Sequence, residues 1–181
     1  MAARSTPDRY GTVAITIHWL SALLILILIG SGFRASGMED ATAKAAILQI
    51  HLPVGVGILL LTLARIGWWL WADKKPASVD MAVWQDRAAR LVHVLFYVVI
   101  LGMAASGIGM MVLSGAGPII FGGSPEALPN FWDFLPRIPH GIGARVMVAL
   151  LVAHVGAAAY HHFIKKDGLI WRMWFVRMGE R

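Results

Sequence analysis

The chain has 181 residues, of which 58% are hydrophobic and only 14% are charged, and this composition excludes an ordinary soluble domain. It contains no cysteine, which excludes disulfides, thiolate metal sites, iron–sulfur clusters and covalently attached c-type haem. The formal charge of +6 would suggest a nucleic-acid partner in a soluble protein, but lysine and arginine gathered in cytoplasmic loops explain it here. We therefore expect no nucleic acid among the partners.

Four apolar runs are long enough to cross a bilayer. They cover approximately residues 15–33, 46–71, 91–113 and 141–164. A polar segment, ASVDMAVWQDRAAR, leads into the third run, and a loop of about 25 residues rich in proline, glycine and aromatic residues precedes the fourth. The pattern predicts an all-α integral membrane four-helix bundle, formed as one domain by residues 1–181.

The distribution of basic residues predicts the orientation of this bundle. Eleven of them fall in the N-terminal segment, in the loop between the second and third runs, and in the C-terminal tail: Arg4, Arg9, Lys74, Lys75, Arg87, Arg90, Lys165, Lys166, Arg172, Arg177 and Arg181. The other two loops carry only Arg34, Lys44 and Arg137. Because positive charge stays on the cytoplasmic side, we predict that both termini are cytoplasmic.

Histidines recur at two depths of the predicted bundle. His140 and His154 are fourteen residues apart, which puts them on one face of the fourth helix and about 21 Å apart along its axis. His18, near the inner end of the first run, matches the depth of His154, and His51, near the outer end of the second, matches His140. Two imidazoles that face each other are what a six-coordinate b-type haem requires. We therefore predict two haem b groups, an inner one on His18 and His154 and an outer one on His51 and His140.

Small and cationic residues accompany these histidines. Gly55 follows His51 in the second run and leaves room for a group wedged between helices. Arg65 lies fourteen residues after His51, near the depth of the inner haem, where a propionate would be its anionic partner. Arg145, about one turn into the fourth run, is placed to do the same for the outer haem.

The residues alone leave other interpretations open. A single histidine in a membrane helix also serves as a hydrogen-bonding residue between helices, and imidazole binds zinc or copper. Glycines are common packing residues, and Arg65 could instead extend to the inner interface. His93, His161 and His162 lie near the cytoplasmic interface, where a histidine is solvated at little cost, although His161 shares the face of the predicted ligands.

Four motifs carry a resemblance to a known family. They are ITIHWL in the first run, IHLPVGVG with the later Arg65 in the second, PHGIGA at the start of the fourth, and AHVGAAAYHHFIKKDGLIWRM at its end. Together they span about residues 8–174 and resemble the bacterial cytochrome b561 family. Members of that family are small four-helix di-haem membrane proteins related to the b-type subunits of nickel–iron hydrogenases.

The resemblance implies haem b on the four ligands and electron exchange with the ubiquinone pool of the bacterial inner membrane. It puts His161 and His162 near the quinone site. Some family members are described as superoxide oxidases, which take an electron from periplasmic superoxide and pass it to ubiquinone. The periplasmic donor of this chain is then superoxide or a redox protein.

One departure bears on superoxide. The outer loops carry three basic residues, named above, against four acidic ones: Glu39, Asp40, Glu126 and Asp133. A slightly negative sum does not favour attraction of an anion, although Arg145 would offset it locally. Besides a superoxide:ubiquinone oxidoreductase, two functions stay open. One is a non-enzymatic haem-b subunit that anchors a dehydrogenase or hydrogenase, and the other is a metal or proton transporter that uses the same histidines.

Overall fold

A computed structural model of the protein describes residues 2–79, 81–122 and 127–175. The helices are α1 (Thr12–Ser36), α2 (Ala41–Gly67), α3 (Val83–Ser114), a short α4 (Gly117–Phe121) and α5 (Arg137–Tyr160). α2 and α5 each continue into one wider π-helical turn, Trp68–Ala72 and His161–Lys165. Four of these segments are long and apolar enough to cross a membrane. The predicted all-α four-helix membrane fold is therefore confirmed. We call the end of the bundle near His18 and His154 the inner end, and the end near His51 and His140 the outer end.

The helices extend further than the apolar runs that predict them. α3 begins at Val83 rather than near residue 91. Its polar first turns are held by a hydrogen bond from the amide of Ala82 to the Gln85 side chain (3.2 Å) and by an ion pair between Arg90 and Asp86 (2.8 Å). Hydropathy marks only the part of a helix that crosses lipid, so helical turns in the polar interface escape it.

α2 begins at a well-formed cap on the outer side. The carboxylate of Asp40 accepts hydrogen bonds from the amides of Thr42 (2.9 Å) and Ala43 (3.1 Å), which satisfies two donors of the first turn. α3 ends on the same side at Gly115, whose φ of 63° is the left-handed conformation that glycine adopts without strain.

The first described part of the loop between α3 and α5, residues 115–122, packs against α2 at the outer end. Its helix α4 buries Ile120 almost completely, and the side chain of Gln49 on α2 donates a hydrogen bond to the Ile120 carbonyl (2.6 Å). A short 3₁₀ turn, Phe131–Asp133, then leads into α5. Residues 117–122 of the loop are therefore packed against the bundle.

Three segments outside the long helices close the inner end, and we call them the inner cap: residues 2–11, 73–79 and 168–174. The Asp73 carboxylate accepts hydrogen bonds from the amide (3.0 Å) and hydroxyl (2.7 Å) of Ser5. The guanidinium of Arg172 donates to the carbonyls of Asp8 (2.8 Å) and Ala77 (2.7 Å). One aspartate and one arginine thus tie the three segments together.

Candidate functional site

Two pairs of imidazoles face each other inside the bundle, one at each end. The ring centres of His18 on α1 and His154 on α5 are 6.1 Å apart, and those of His51 on α2 and His140 on α5 are 6.3 Å apart. Two metal–imidazole bonds of about 2 Å, each continuing about 1 Å from nitrogen to ring centre, require a separation of roughly 6 Å. Both pairs therefore fit one metal ion held between two imidazoles, as in bis-histidine haem.

The pairs belong to three layers spaced by seven residues, or about two helical turns, on every long helix. The inner layer consists of His18, Arg65, His93 and His154, and the middle layer of Ile25, Ile58, Ile100 and Met147. The outer layer consists of Gly32, His51, Gly107 and His140. The middle layer is the buried apolar core of the bundle, so an apolar block separates the two imidazole pairs.

The outer pair is held by residues that the sequence analysis did not identify. On α1, the hydroxyl of Ser31 lies 2.8 Å from Nδ1 of His51. A Cβ atom added at the next residue, Gly32, would lie 3.2 Å from Cε1 of the same ring. The Ser31–Gly32 step therefore gives the imidazole both a hydrogen-bond partner and room for close approach.

The same arrangement recurs on α3. The hydroxyl of Ser106 lies 3.0 Å from Nδ1 of His140, and a Cβ at Gly107 would lie 3.4 Å from Cε1 of that ring. Each outer imidazole thus contacts a Ser–Gly step on the helix that packs against its own. The dipeptide SG occurs at both positions, but it also occurs at residues 36–37 and 114–115, so the dipeptide alone does not identify the pair.

The inner layer carries a third imidazole and a buried cation. The ring centre of His93 is 5.4 Å from that of His154, and Nδ1 of His93 bonds to the backbone carbonyl of Ala89 (2.6 Å). Arg65 lies in the same layer as these rings and His18. Its Nε is buried and has no hydrogen-bond partner within the described structure. A buried donor of this kind suits an anionic group, such as the carboxylate of a haem propionate.

The outer arginines converge on the residue after His140. Nη1 of Arg145 donates to the carbonyl of Gly141 (2.9 Å), and a Cβ on Gly141 would lie 3.0 Å from Nη1 of Arg137. The Arg137 guanidinium also stacks over the ring of Trp132, 4.4 Å from its centre. Two guanidinium groups therefore give the outer end a local positive charge.

Gly55, the glycine expected beside a cofactor, has a protein neighbour. A Cβ at this position would lie 4.0 Å from Cδ2 of Leu28 on α1, which is ordinary van der Waals contact. In this structure Gly55 therefore lies at the packing surface between α1 and α2.

At the inner end, α5 finishes beside a small cavity of about 270 Å³ lined by His162, Lys166, Asp167, Gly168 and Trp171. Lys166 adopts the left-handed conformation (φ 55°), so the chain turns back on itself here. Asp167 then reaches Nδ1 of the buried His161. Burial alone would raise the pKa of Asp167, but hydrogen bonds from His161 and from the Leu169 amide hold it below its ordinary value. The sequence analysis did not identify this acidic partner.

In the described part of the chain, no third metal ligand joins either pair. Within residues 2–79, 81–122 and 127–175, no three histidine, aspartate or glutamate side chains are grouped so that they could hold a metal ion. Two facing imidazoles are therefore the ligand set that each site offers.

Comparison with known proteins agrees with the resemblance drawn from the motifs. A family model described as prokaryotic cytochrome b561 matches residues 9–175. The chain is 28% identical to cytochrome b561 homolog 1 of Escherichia coli over 171 residues, which cover 92% of this chain and 97% of that protein. It is 26% identical to a Yersinia pestis protein named probable superoxide oxidase CybB, over 94% of this chain and 98% of that one. It is 27% identical to cytochrome b562 of Cereibacter sphaeroides, over 91% and 94% of the two chains.

The family model spans nearly the whole chain and both imidazole pairs. Membership implies a b-type haem cofactor, and the four apolar helices embed the protein in a lipid bilayer. The chain belongs to the prokaryotic cytochrome b561 family and is a bacterial membrane b-type cytochrome of electron transfer.

Proposed function

We propose that the chain carries two haem b groups and transfers electrons across the bacterial inner membrane between a periplasmic donor and ubiquinone. His18 and His154 would hold the inner group, and His51 and His140 the outer one. The observation that supports this most is the near-equal separation of the two imidazole pairs, 6.1 and 6.3 Å, in two layers fourteen residues apart on α5.

When bound, haem b supplies reversible one-electron chemistry. The protein would hold and shield these groups. The imidazole nitrogens would bind the haem iron, and the apolar middle layer would keep water out of the space between the two layers. Arg65 offers its buried Nε–H to a propionate carboxylate of the inner group. Arg145, with Arg137 beside it, would do the same at the outer end.

The charge distribution supports an orientation with the inner end in the cytoplasm. Most basic residues lie in or beside the inner cap, as the positive-inside rule requires. Among the described residues these include Lys74 and Lys75 after α2, and Lys165 and Lys166 after α5. Arg177 and Arg181, which contribute to the same prediction, lie outside the described residues, as does Glu126 of the outer loop.

The cavity beside His162 is the proposed site of the quinone headgroup. Reduction of ubiquinone to ubiquinol takes up two electrons and two protons. His161 and Asp167 form a hydrogen-bonded pair next to this cavity and at the polar end of the bundle. We infer that this pair delivers protons from the cytoplasmic side to the quinone oxygens.

Superoxide is the proposed donor, because one relative is named a probable superoxide oxidase. Two superoxide anions would each lose one electron to become dioxygen, while one quinone and two protons become one quinol. The formal charge of the outer loops does not attract an anion. However, Arg137 and Arg145 place two positive charges beside His140, where the electron enters the protein.

Haem content and quinone reduction test this proposal. Purified protein should contain two haem b per chain. H18A and H154A should lose the same haem, H51A and H140A the other, and H162A should keep both. One haem in the wild type, or loss of the same haem from His18 and His51 variants, would refute the pairing. Superoxide-dependent reduction of ubiquinone by the isolated protein supports the oxidase, whereas inactivity together with a co-purifying dehydrogenase would support the subunit function instead.

A further inference from the structure

The hydrogen bonds of Ser31 determine which nitrogen of His51 carries a proton. A serine hydroxyl has one proton to donate and can accept two hydrogen bonds. The Ser31 hydroxyl lies 2.6 Å from the carbonyl oxygen of Ile27, one turn earlier on α1, and donates its proton there. Nδ1 of His51, at 2.8 Å, must then donate its own proton to Ser31. The other ring nitrogen, Nε2, is consequently unprotonated and free to ligate.

Ser106 has the same environment on α3. Its hydroxyl lies 3.0 Å from the carbonyl oxygen of Met103 and 3.0 Å from Nδ1 of His140. The serine donates its one proton to this carbonyl, so Nδ1 of His140 donates its own proton to the serine oxygen. Both outer imidazoles are therefore held in the tautomer that leaves Nε2 free.

The inner imidazoles lack such a partner. Within the described residues, no serine or threonine hydroxyl bonds to His18 or His154, and their ring contacts are with other aromatic or imidazole rings. In the inner layer His18 and His93 stand where the outer layer has Gly32 and Gly107, and a charged Arg65 stands where it has His51. The two ligand pairs are thus alike in spacing but differ in what holds them.

We propose that Ser31 and Ser106 are positioning residues that fix the tautomer of the two outer ligands and lower the reduction potential of the outer haem. A histidine that donates its second N–H becomes a more basic ligand, and a more basic ligand stabilises oxidised iron. The inference rests on the proposed two-haem function. It gives two uncharged serines a role in setting the difference in reduction potential between the two haems.

Redox titration of the haem-loaded protein in detergent tests this inference, with the low-spin ferric EPR signal as a second readout. S31A and S106A should each raise the reduction potential of the outer haem and change its EPR signal. The reduction potential and EPR signal of the inner haem should stay as in the wild type. The double variant should shift further than either single one. The matched control is S36A, because the Ser36 hydroxyl also bonds to a carbonyl of α1, that of Phe33 (2.8 Å), but contacts no histidine. H18A and H51A, which each lack one haem, assign the signals.

An unchanged outer-haem potential and EPR signal in both S31A and S106A, with both haems bound, would overturn the inference and leave the two-haem function intact. If S31A loses the outer haem, S31T decides the matter because threonine keeps the acceptor oxygen. Wild-type haem content and potential in S31T support the role, and loss of haem in S31T as well overturns it. A wild type with a single haem would instead refute the proposed function.

Discussion

Arg65 lies fourteen residues after His51 on α2, about four helical turns, so a single helix carries an imidazole of the outer pair and the cation of the inner layer. The arginine has a buried Nε without a hydrogen-bond partner in the described structure. An unpaired buried donor is costly in the bare protein, so binding of an anion at this position would remove that cost.

We predict that R65Q lowers the reduction potential of the inner haem and leaves that of the outer haem unchanged. Loss of one positive charge stabilises oxidised iron by on the order of 1–2 kcal/mol across a poorly screened interior. R65K should fall between, since it keeps the charge but lacks the planar donor group. Redox titration measures the effect, and R90Q is the control because Arg90 forms an exposed ion pair with Asp86 outside the layers. Equal shifts in R65Q and R90Q would show that Arg65 acts only through overall charge.

Glycine at position 32 is predicted to be required for outer-haem binding. An added Cβ would lie 3.2 Å from Cε1 of His51, a ring that Ser31 holds in place, so G32A should cost about 1–3 kcal/mol through overpacking and reduce outer-haem occupancy. Gly30 on the same helix has no atom within 4 Å of the corresponding position. G30A should therefore be neutral or stabilise by up to about 1 kcal/mol.

The haem-to-protein ratio and the thermal midpoint in detergent check this prediction. G107A should behave like G32A but more mildly, since its Cβ would lie 3.4 Å from Cε1 of His140, and G102A is its control with nothing within 4 Å. Equal haem contents in G30A and G32A would show that the His51 ring moves aside at little cost.

We predict that the inner cap loses stability in acid because Asp73 becomes protonated. Burial raises its pKa, but hydrogen bonds from Ser5, Lys74 and Trp68 outweigh this and hold the pKa below the ordinary 3.8. A carboxyl whose folded pKa is depressed stabilises the fold fully above its unfolded value. That stabilisation is lost as pH falls from 3.8 through the folded pKa.

D73N should remove this pH dependence and destabilise the cap at neutral pH by about 1 kcal/mol, a value reduced by solvent screening. Limited proteolysis of the N-terminal segment from about pH 7 to about pH 3 measures it. D8N is the control, because Asp8 joins the cap through its backbone carbonyl. If wild type and D73N become susceptible along the same pH curve, Asp73 does not hold the cap.

Part of this architecture is readable from the sequence, and the remainder depends on packing. The spacing of His140 and His154 predicts a shared face, because residues on one helix keep a fixed angular relation. The roles of Ser31 and Ser106 need the rotation of α1 against α2 and of α3 against α5, which no single helix encodes. The first turns of α3, from Val83, lie outside the predicted apolar run because these polar turns carry no apolar signal.

The sequence does not identify Asp167 as a partner of His161 for the same reason that it does not identify the serines. It meets His161 only because Lys166 turns left-handed and folds the chain back after α5. A local pattern of charges in KKD is typical of a membrane boundary and says nothing about such a turn. Residues that act through a partner helix or a turn therefore become visible only with the tertiary structure.

D167N is predicted to slow quinone reduction while haem reduction continues. The depressed pKa of Asp167 keeps its carboxylate ionised at neutral pH, where it accepts a hydrogen bond from Nδ1 of His161 and holds that ring beside the cavity. The neutral amide of D167N is a weaker acceptor for this hydrogen bond, and loss of a positioned proton-transfer group costs about 10²-fold or more in rate. Stopped-flow mixing of pre-reduced protein with ubiquinone measures the step, with D133N at the outer end as the control. The deficit should narrow at lower pH, where solvent supplies protons. A D167N rate equal to wild type at every pH would place proton delivery elsewhere.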